Sequence, residues 1–237
     1  MTALSAPDVC YLPPVGVPAA QRRPTVRDVL AHPKVRRIVA APSLHTRREI
    51  GRQRLKGLRP ASRVNLGSGL SRMDGWVNVD NNRAADADFL VDLRAGFPAP
   101  SGSVRLAFSE HVVEHLEVDD ARRWFSDLRR AMVSGGVLRI ATPDLARLVD
   151  AYVDDWRDQE WVRQPGFSHV TTGAAMLNLA LRGWGHSFVY DAEALTELLS
   201  LCGFRDIVRC ELGRSEHHEL CGLERRADST LILEARA

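Results

Sequence analysis

The chain has 237 residues, 45% of them hydrophobic, enough apolar material for the core of one domain of roughly 150 to 200 residues plus an appendage. No apolar run approaches the length of about 18 residues needed to span a bilayer, and the opening MTALSAPDVCYLPPVG lacks the basic start and apolar middle of a signal peptide; a soluble, cytoplasmic protein without a membrane partner is expected. The net charge of +2 conceals a division, because residues 1–63 are net +10 and the remainder is net −8, a basic arm joined to an acidic domain. The arm suits neutralisation of its own acidic domain better than nucleic acid, which is kept as the lesser reading.

Residues 1–24 hold Pro7, Pro13, Pro14, Pro18 and Pro24, which oppose regular helix and leave an extended leader. Two short arginine-rich helices should follow, each opened by a hydroxyl with an acid three residues on: Thr25 with Asp28, and Thr46 with Glu49. The extension is expected to end at residue 62. From Arg63 the pattern turns to short apolar runs between acidic, glycine-bearing turns, the sequence signature of a buried parallel sheet. Strands are expected at Arg63–Leu66, Trp76–Val79, Phe89–Val91, Val104–Phe108 and Val137–Ala141. Ala121, Trp124, Phe125, Leu128 and Met132 recur at helical spacing, with Asp119 to cap and Gly135 to stop the helix. A second helix should run on Leu145, Leu148, Val149 and Tyr152, and a third from Asp191 to Gly203; the end, Arg205–Glu211 and Ser229–Glu234, reads as an antiparallel strand pair. The whole implies a doubly wound α/β domain over 63–237, with helices on both faces of the sheet.

Asn65-Leu66-Gly67-Ser68-Gly69 leaves the first strand where glycines let a backbone turn sharply and approach a ligand. A dinucleotide fingerprint would need GxGxxG and an acid about twenty residues on; here position 72 is arginine and the acid ending the next strand is Asp80, which opposes that reading. A carboxylate at a strand's C-terminal end can accept both hydroxyls of a ribose, and Asp80 is so placed, although an Asp before Asn81 also suits a plain turn.

Residues 64–80, VNLGSGLSRMDGWVNVD, together with VDLRAGFP at Asp92, SEHVVEHL at Ser109–Leu116, GGVLRIATPDL at Gly135–Leu145 and GHSFVYDAEAL before the last helix, resemble small methyltransferases of the class I S-adenosylmethionine-dependent superfamily over about residues 64–236. The superfamily's glycine loop usually has an acid at its head and three glycines; this chain has Asn65 and only Gly67 and Gly69. The resemblance implies S-adenosylmethionine across the strand ends. Asn65, Gly67, Ser68 and Gly69 would lie near its methionine part, Asp80 and Asn81 at its ribose, and Asp92 and Leu93 beside the adenine. Ser109 and Glu110 would face the methionine portion and the substrate. It also implies methyl transfer to a small-molecule acceptor, at oxygen sooner than nitrogen, of sugar or secondary-metabolite type. A repurposed member that binds the cofactor without transferring methyl is the opposing reading, followed by metal-assisted and nucleic-acid methylation.

His111-Val112-Val113-Glu114-His115 also spells HxxEH, the inverted zinc-peptidase pattern, in which two histidines one helical turn apart ligate zinc. No completing ligand is recognisable beside it, and some superfamily relatives hold a divalent ion with a glutamate and a Glu-His pair where this chain begins with His111. The expectation is no metal. Deprotonation of a hydroxyl acceptor calls for a base near neutrality, and His111 and His186 are the candidates. The four cysteines, Cys10, Cys202, Cys210 and Cys221, form no CxxC or metal-spaced set and read as free thiols. Residues 151–190 carry Tyr152, Trp156, Trp161, Phe167, Trp184, Phe188 and Tyr190, a lid or pocket wall, or packing on the sheet. The polar run Ser215–Glu219 is a loop that could reach the site.

Overall fold

A computed structural model describes residues 43–237; the proline-rich leader, the helix expected at Thr25 and Cys10 lie outside the described residues. The elements are α1 (Leu44–Leu55), β1 (Ser62–Leu66), β2 (Val77–Asp80), β3 (Phe89–Leu90), β4 (Val104–Glu110), α2 (Val118–Ala131), β5 (Met132–Thr142), α3 (Leu145–Val153), α4 (Gly173–Arg182), α5 (Ala192–Leu201), β6 (Arg205–Arg209) and β7 (Leu231–Arg236). Among the described residues no helix is long and apolar enough to cross a membrane.

The strands form one seven-stranded sheet in the order β3-β2-β1-β4-β5-β7-β6. β1 to β5 run parallel, while β7 is antiparallel to both β5 and β6, so the expected terminal pair closes the sheet of an α/β doubly wound fold. The order reverses between β1 and β4. That is the topological switch point, where chains leave adjacent strands in opposite directions and open a crevice at their carboxyl ends.

The two faces are covered unequally. On one, Trp124, Phe125 and Leu128 of α2 and Leu195, Leu198 and Leu199 of α5 pack with Val64, Leu66, Leu138, Ile140 and Leu233 of the sheet. The stripe expected at Ala121, Trp124, Phe125, Leu128 and Met132 is this contact and all five residues are buried, but Met132 opens β5 rather than continuing the helix. On the other face, Leu106, Phe108 and Val137 are covered by Met73, Trp76 and Leu220 from loops. Arg139 is buried on β5 between Glu224 (2.5 Å) and Glu234 (2.6 Å). A third cluster joins Leu148, Met176, Ala180 and Val189 to Trp156, Trp161 and Phe167.

Several boundaries differ from expectation. Ser43, not Thr46, caps α1, accepting the Thr46 amide at 3.1 Å. This helix packs on β3 so closely that a Cβ at Gly51 would run into the Leu90 carbonyl, and the compact unit runs Ser43–Ala237; the boundary expected at 62 falls inside it. Asp119 lies within the first turn of α2, and Gly135 sits inside β5 at φ 75° rather than stopping the helix. The register of β4 against β5 shifts there, Val104 pairing Met132 but Leu106 pairing Val137, so the strand resumes where a helical stop was expected. On α3 only Leu148 is buried; Val149 and Tyr152 face outward at 45% and 47% exposure. α4 falls within the stretch 151–190 and is capped by Thr172, whose hydroxyl accepts the Ala175 amide at 3.1 Å.

Candidate active site

The crevice at the switch point is a cleft of about 960 Å³. Of the residues expected at the site, Asn65, Gly67, Ser68, Gly69, Asp80, Asn81, Asp92, Leu93, Glu110 and His111 line it. Ser109 does not: it is fully buried in β4, its hydroxyl without a hydrogen-bond partner among the described residues. His186 lines a second cavity instead, of about 890 Å³. His111, His115 and Arg226 line both, so the two spaces meet at these three side chains.

The loop after β1 is held by the end of β2. The Gly67 and Ser68 amides donate to the Val79 carbonyl at 2.8 and 3.1 Å, and Asp80 accepts the Gly69 amide on Oδ2 (2.7 Å) and the Asn82 amide on Oδ1 (2.6 Å). Asp80 is therefore both the turn former and the lip of the cleft, and each carboxylate oxygen keeps a second lone-pair direction for a ligand. Gly67 is required: its φ is 77°, and a Cβ there would collide with Val112 from the turn after β4. No helix follows this loop, because the chain passes by turns from β1 directly to β2, so no helix N-terminus is present to hold a pyrophosphate.

Three expected cofactor contacts are partly committed elsewhere. The Asn65 amide nitrogen donates to the Ser71 carbonyl and Asn78 Oδ1 at 3.1 and 3.0 Å. Asp92 caps a short turn and accepts the Arg94 guanidinium at 2.9 and 2.7 Å; Arg94 chiefly, against the cost of burial, holds its carboxyl below the ordinary value. Glu110 anchors a distant loop, accepting the Arg225 and Arg226 amides at 3.0 Å and the Ser229 hydroxyl at 2.7 Å. Conversely, Ser68 Oγ and Asn81 Oδ1, on residues that line the cleft, are buried with no hydrogen-bond partner among the described residues.

Sequence reasoning missed Arg48, Arg225 and Arg226, all on the cleft wall. Arg48 reaches from α1 to the Asn81 carbonyl at 3.3 Å and to Asp92 at 3.8 Å. The basic character of the first 63 residues was the only signal for it, and within the described residues that arginine does serve its own domain.

Beyond the glycine loop, β4 ends in a strained turn. His111 has φ 52°, in the left-handed region that few residues other than glycine enter, histidine, asparagine and aspartate more readily than most. Its side chain is 6% exposed; Nδ1 lies 2.9 Å from Glu114 Oε1, and Nε2 lies 3.5 Å from Asp228 Oδ1 with no hydrogen-bond partner among the described residues. Burial pushes the Glu114 carboxyl up, but His111 beside it brings it below the ordinary glutamate value. Asp228 is likewise raised by burial and lowered further by Arg226 and His111, ending below the ordinary aspartate value.

His115 does not share a helix face with His111, because Val113–His115 is a single short turn. It faces His186, ring centroids 4.9 Å apart. The peptidase geometry is therefore absent. His186 donates its Nδ1–H to the Ala180 carbonyl (2.8 Å), and burial lowers its pKa. Around it, Trp161 and Trp184 wall the second cavity, 5.4 Å apart and edge to face, so the aromatic stretch is both packing and pocket wall. The Ser215–Glu219 loop is remote from the cleft: Glu219 bridges Arg63 and Arg105 at 3.0 and 2.6 Å, and Ser215 to His217 line a separate groove beside β6. Cys202, Cys210 and Cys221 are free thiols.

No family model matches the chain, and no curated protein matches it. Solved structures to which it is similar include a SAM-dependent methyltransferase from Archaeoglobus fulgidus, at 18% identity over 82% of this chain and 96% of that one, TM-score 0.42. Another is a SAM-dependent methyltransferase from Thermotoga maritima described as a possible histamine N-methyltransferase, at 16% identity over 81% and 91%, TM-score 0.45. A SAM-dependent methyltransferase from Mesorhizobium loti is 18% identical over 82% of this chain and 100% of its own, TM-score 0.43.

Proposed function

We propose that the chain is an S-adenosylmethionine-dependent methyltransferase that holds its cofactor in the switch-point cleft and a small-molecule acceptor in the adjoining cavity. The observation that carries this reading is the position of His111: a buried histidine with left-handed backbone at the junction of two spaces, each large enough for a small molecule.

The cleft suits this cofactor by the chemistry of its walls. Asp80 and Asn81 would take the ribose hydroxyls, the amides and hydroxyl of Gly67 to Gly69 the methionine end, and Leu93 with the Asp92 turn the adenine. Buried Ser68 Oγ and Asn81 Oδ1 supply polar groups that need a partner. When bound, the cofactor supplies a methyl group activated on a sulfonium.

The protein's part is alignment and proton removal. A hydroxyl acceptor of sugar or secondary-metabolite size, seated against Trp161 and Trp184, would present its proton to His111 Nε2. Glu114 fixes the ring through Nδ1, and Asp228 stabilises the cation that forms once Nε2 is protonated. His186 faces the same acceptor space.

The test is twofold. Calorimetry should show saturable S-adenosylmethionine binding. Incubation with methyl-labelled cofactor and fractionated small-molecule extract should yield a labelled product; retained cofactor with no product across broad acceptor classes would overturn transfer while leaving binding intact.

A further inference from the structure

The buried carboxylate of Glu114 is only partly satisfied: Oε1 lies 2.9 Å from His111 Nδ1 yet has no hydrogen-bond partner among the described residues. It is 0% exposed, held by the Thr142 hydroxyl at 3.0 Å, and among the described residues no lysine or arginine lies within ion-pair reach of it. Buried charge is stable only when paired. The groups that do surround it are imidazoles, and one donor atom each from Glu114, His115 and His186 lie within 4.8 Å of one another.

We propose that Glu114, His115 and His186 form a binding site for a divalent transition-metal ion of the zinc or cobalt kind. This goes beyond the methyltransferase reading and departs from the metal-free expectation drawn from sequence.

Three features argue that the site is built. The first is tautomer control. His115 Nδ1 lies 3.3 Å from the Gly185 carbonyl and His186 Nδ1 lies 2.8 Å from the Ala180 carbonyl. A ring that donates Nδ1–H to a carbonyl carries its lone pair on Nε2, the arrangement by which proteins orient metal-binding histidines. The second is a lock between the two segments. The Glu114 carbonyl accepts the Ser187 and Phe188 amides at 2.7 and 3.1 Å, which pins the residue after His186 to the turn that carries Glu114. The third is backbone strain beside the lock: Trp184 at φ 55° and Gly185 at φ 83° present the Gly185 carbonyl to His115.

An ion at the usual 2.0 to 2.2 Å from nitrogen and oxygen donors in tetrahedral geometry holds them about 3.3 to 3.6 Å apart, so binding closes this group from separations of up to 4.8 Å. Two neutral imidazoles and one carboxylate leave a single positive charge on a divalent ion, which compensates the buried carboxylate and leaves a coordination position toward the cavity that His115 and His186 line. The pair of histidines differs from the one the HxxEH spacing suggests: His111, with Nδ1 2.9 Å from Glu114 Oε1 and Nε2 3.5 Å from Asp228 Oδ1, lies outside the group of donors.

The test uses the untagged full-length chain, treated with chelator and dialysed, then titrated with zinc chloride by calorimetry and cobalt chloride by visible absorption. One saturable equivalent is expected, with a cobalt spectrum of nitrogen and oxygen coordination. His115→Ala and His186→Ala should each weaken zinc binding by at least tenfold, and His111→Ala should not. Glu114→Gln is informative only if circular dichroism shows it folded; the two histidine variants carry the test otherwise. Absence of saturable binding, or undiminished binding in folded His115→Ala and His186→Ala, overturns the proposal. So does a pattern in which His111→Ala abolishes binding and His186→Ala does not. None of these readouts depends on methyl transfer.

Discussion

Asp80 Oδ2 accepts the Gly69 amide at 2.7 Å, tying the end of β2 to the loop that leaves β1. One carboxylate thus shapes the cleft and offers remaining lone pairs to what enters it. Asp80→Ala should weaken S-adenosylmethionine binding by roughly 1.5 to 3 kcal/mol, the scale of charge-assisted hydrogen bonds. Calorimetry on the folded variant decides this; an unchanged dissociation constant would move the ribose elsewhere. NAD should show no comparable binding, since no helix opens after β1 to receive a pyrophosphate.

His111→Asn separates strain from chemistry, because asparagine tolerates the left-handed backbone at this position better than most residues. Once an acceptor is known, turnover should fall by about 10²- to 10⁴-fold, the range for loss of a positioned base, with cofactor affinity nearly retained. Near-normal turnover would remove His111 from proton transfer.

Arg139→Met leaves Glu224 and Glu234 buried without their cation. The expected loss is about 3 to 5 kcal/mol, as for one partner removed from a buried pair, read from urea unfolding. A loss below about 1 kcal/mol would mean that water reaches these carboxylates.

Gly51→Ala tests packing against propensity. Alanine in a helix interior is ordinarily better than glycine by about 1 kcal/mol. Here the added methyl would meet the Leu90 carbonyl, so a net destabilisation of about 1 to 3 kcal/mol is expected. Stabilisation would show that α1 can shift off β3.

Asp92 has a folded-state pKa below its ordinary value of 3.8, with Arg94 as the main cause. A lowered folded pKa gives stability that is present above the unfolded value and lost as pH falls through the folded one. Asp92→Asn should therefore cost a little at pH 7, under about 1 kcal/mol for a pair open to solvent, and flatten the decline below about pH 4. Chemical unfolding at the two pH values reads both effects; a parallel acid decline in wild type and variant would contradict the assignment.

Much of the site was legible because local rules coincide with global placement. A glycine turn off a strand and an acid ending the next strand are short-range features, and the sheet brings Gly69 and Asp80 together by simple parallel pairing. The α2 stripe was legible for the same reason. By contrast, α4 hides in AAMLNLALR, where apolar residues are nearly continuous and leave no clear 3.6-residue period. Arg226 reaches the cleft only because Glu110 holds its backbone from 116 residues away in sequence, a relationship no local pattern encodes. The HxxEH spacing of His111 and His115 has no counterpart in the fold, since it assumes helical backbone and the chain makes a left-handed residue followed by one short turn.

The strand order also leaves the sheet with two outer edges, and each is a poor template for another chain. β3 is two residues long and has α1 packed beside it. β6 carries Arg205, Asp206 and Arg209, and its ladder is interrupted between Arg205 and Val208 with Asp206 at φ 47°. Short length, charge and a local kink each frustrate edge-to-edge pairing. The longest and most apolar strands, β4, β5 and β7, lie inside the order, so the segments most able to recruit a stranger's backbone are the ones whose hydrogen bonds are already spent.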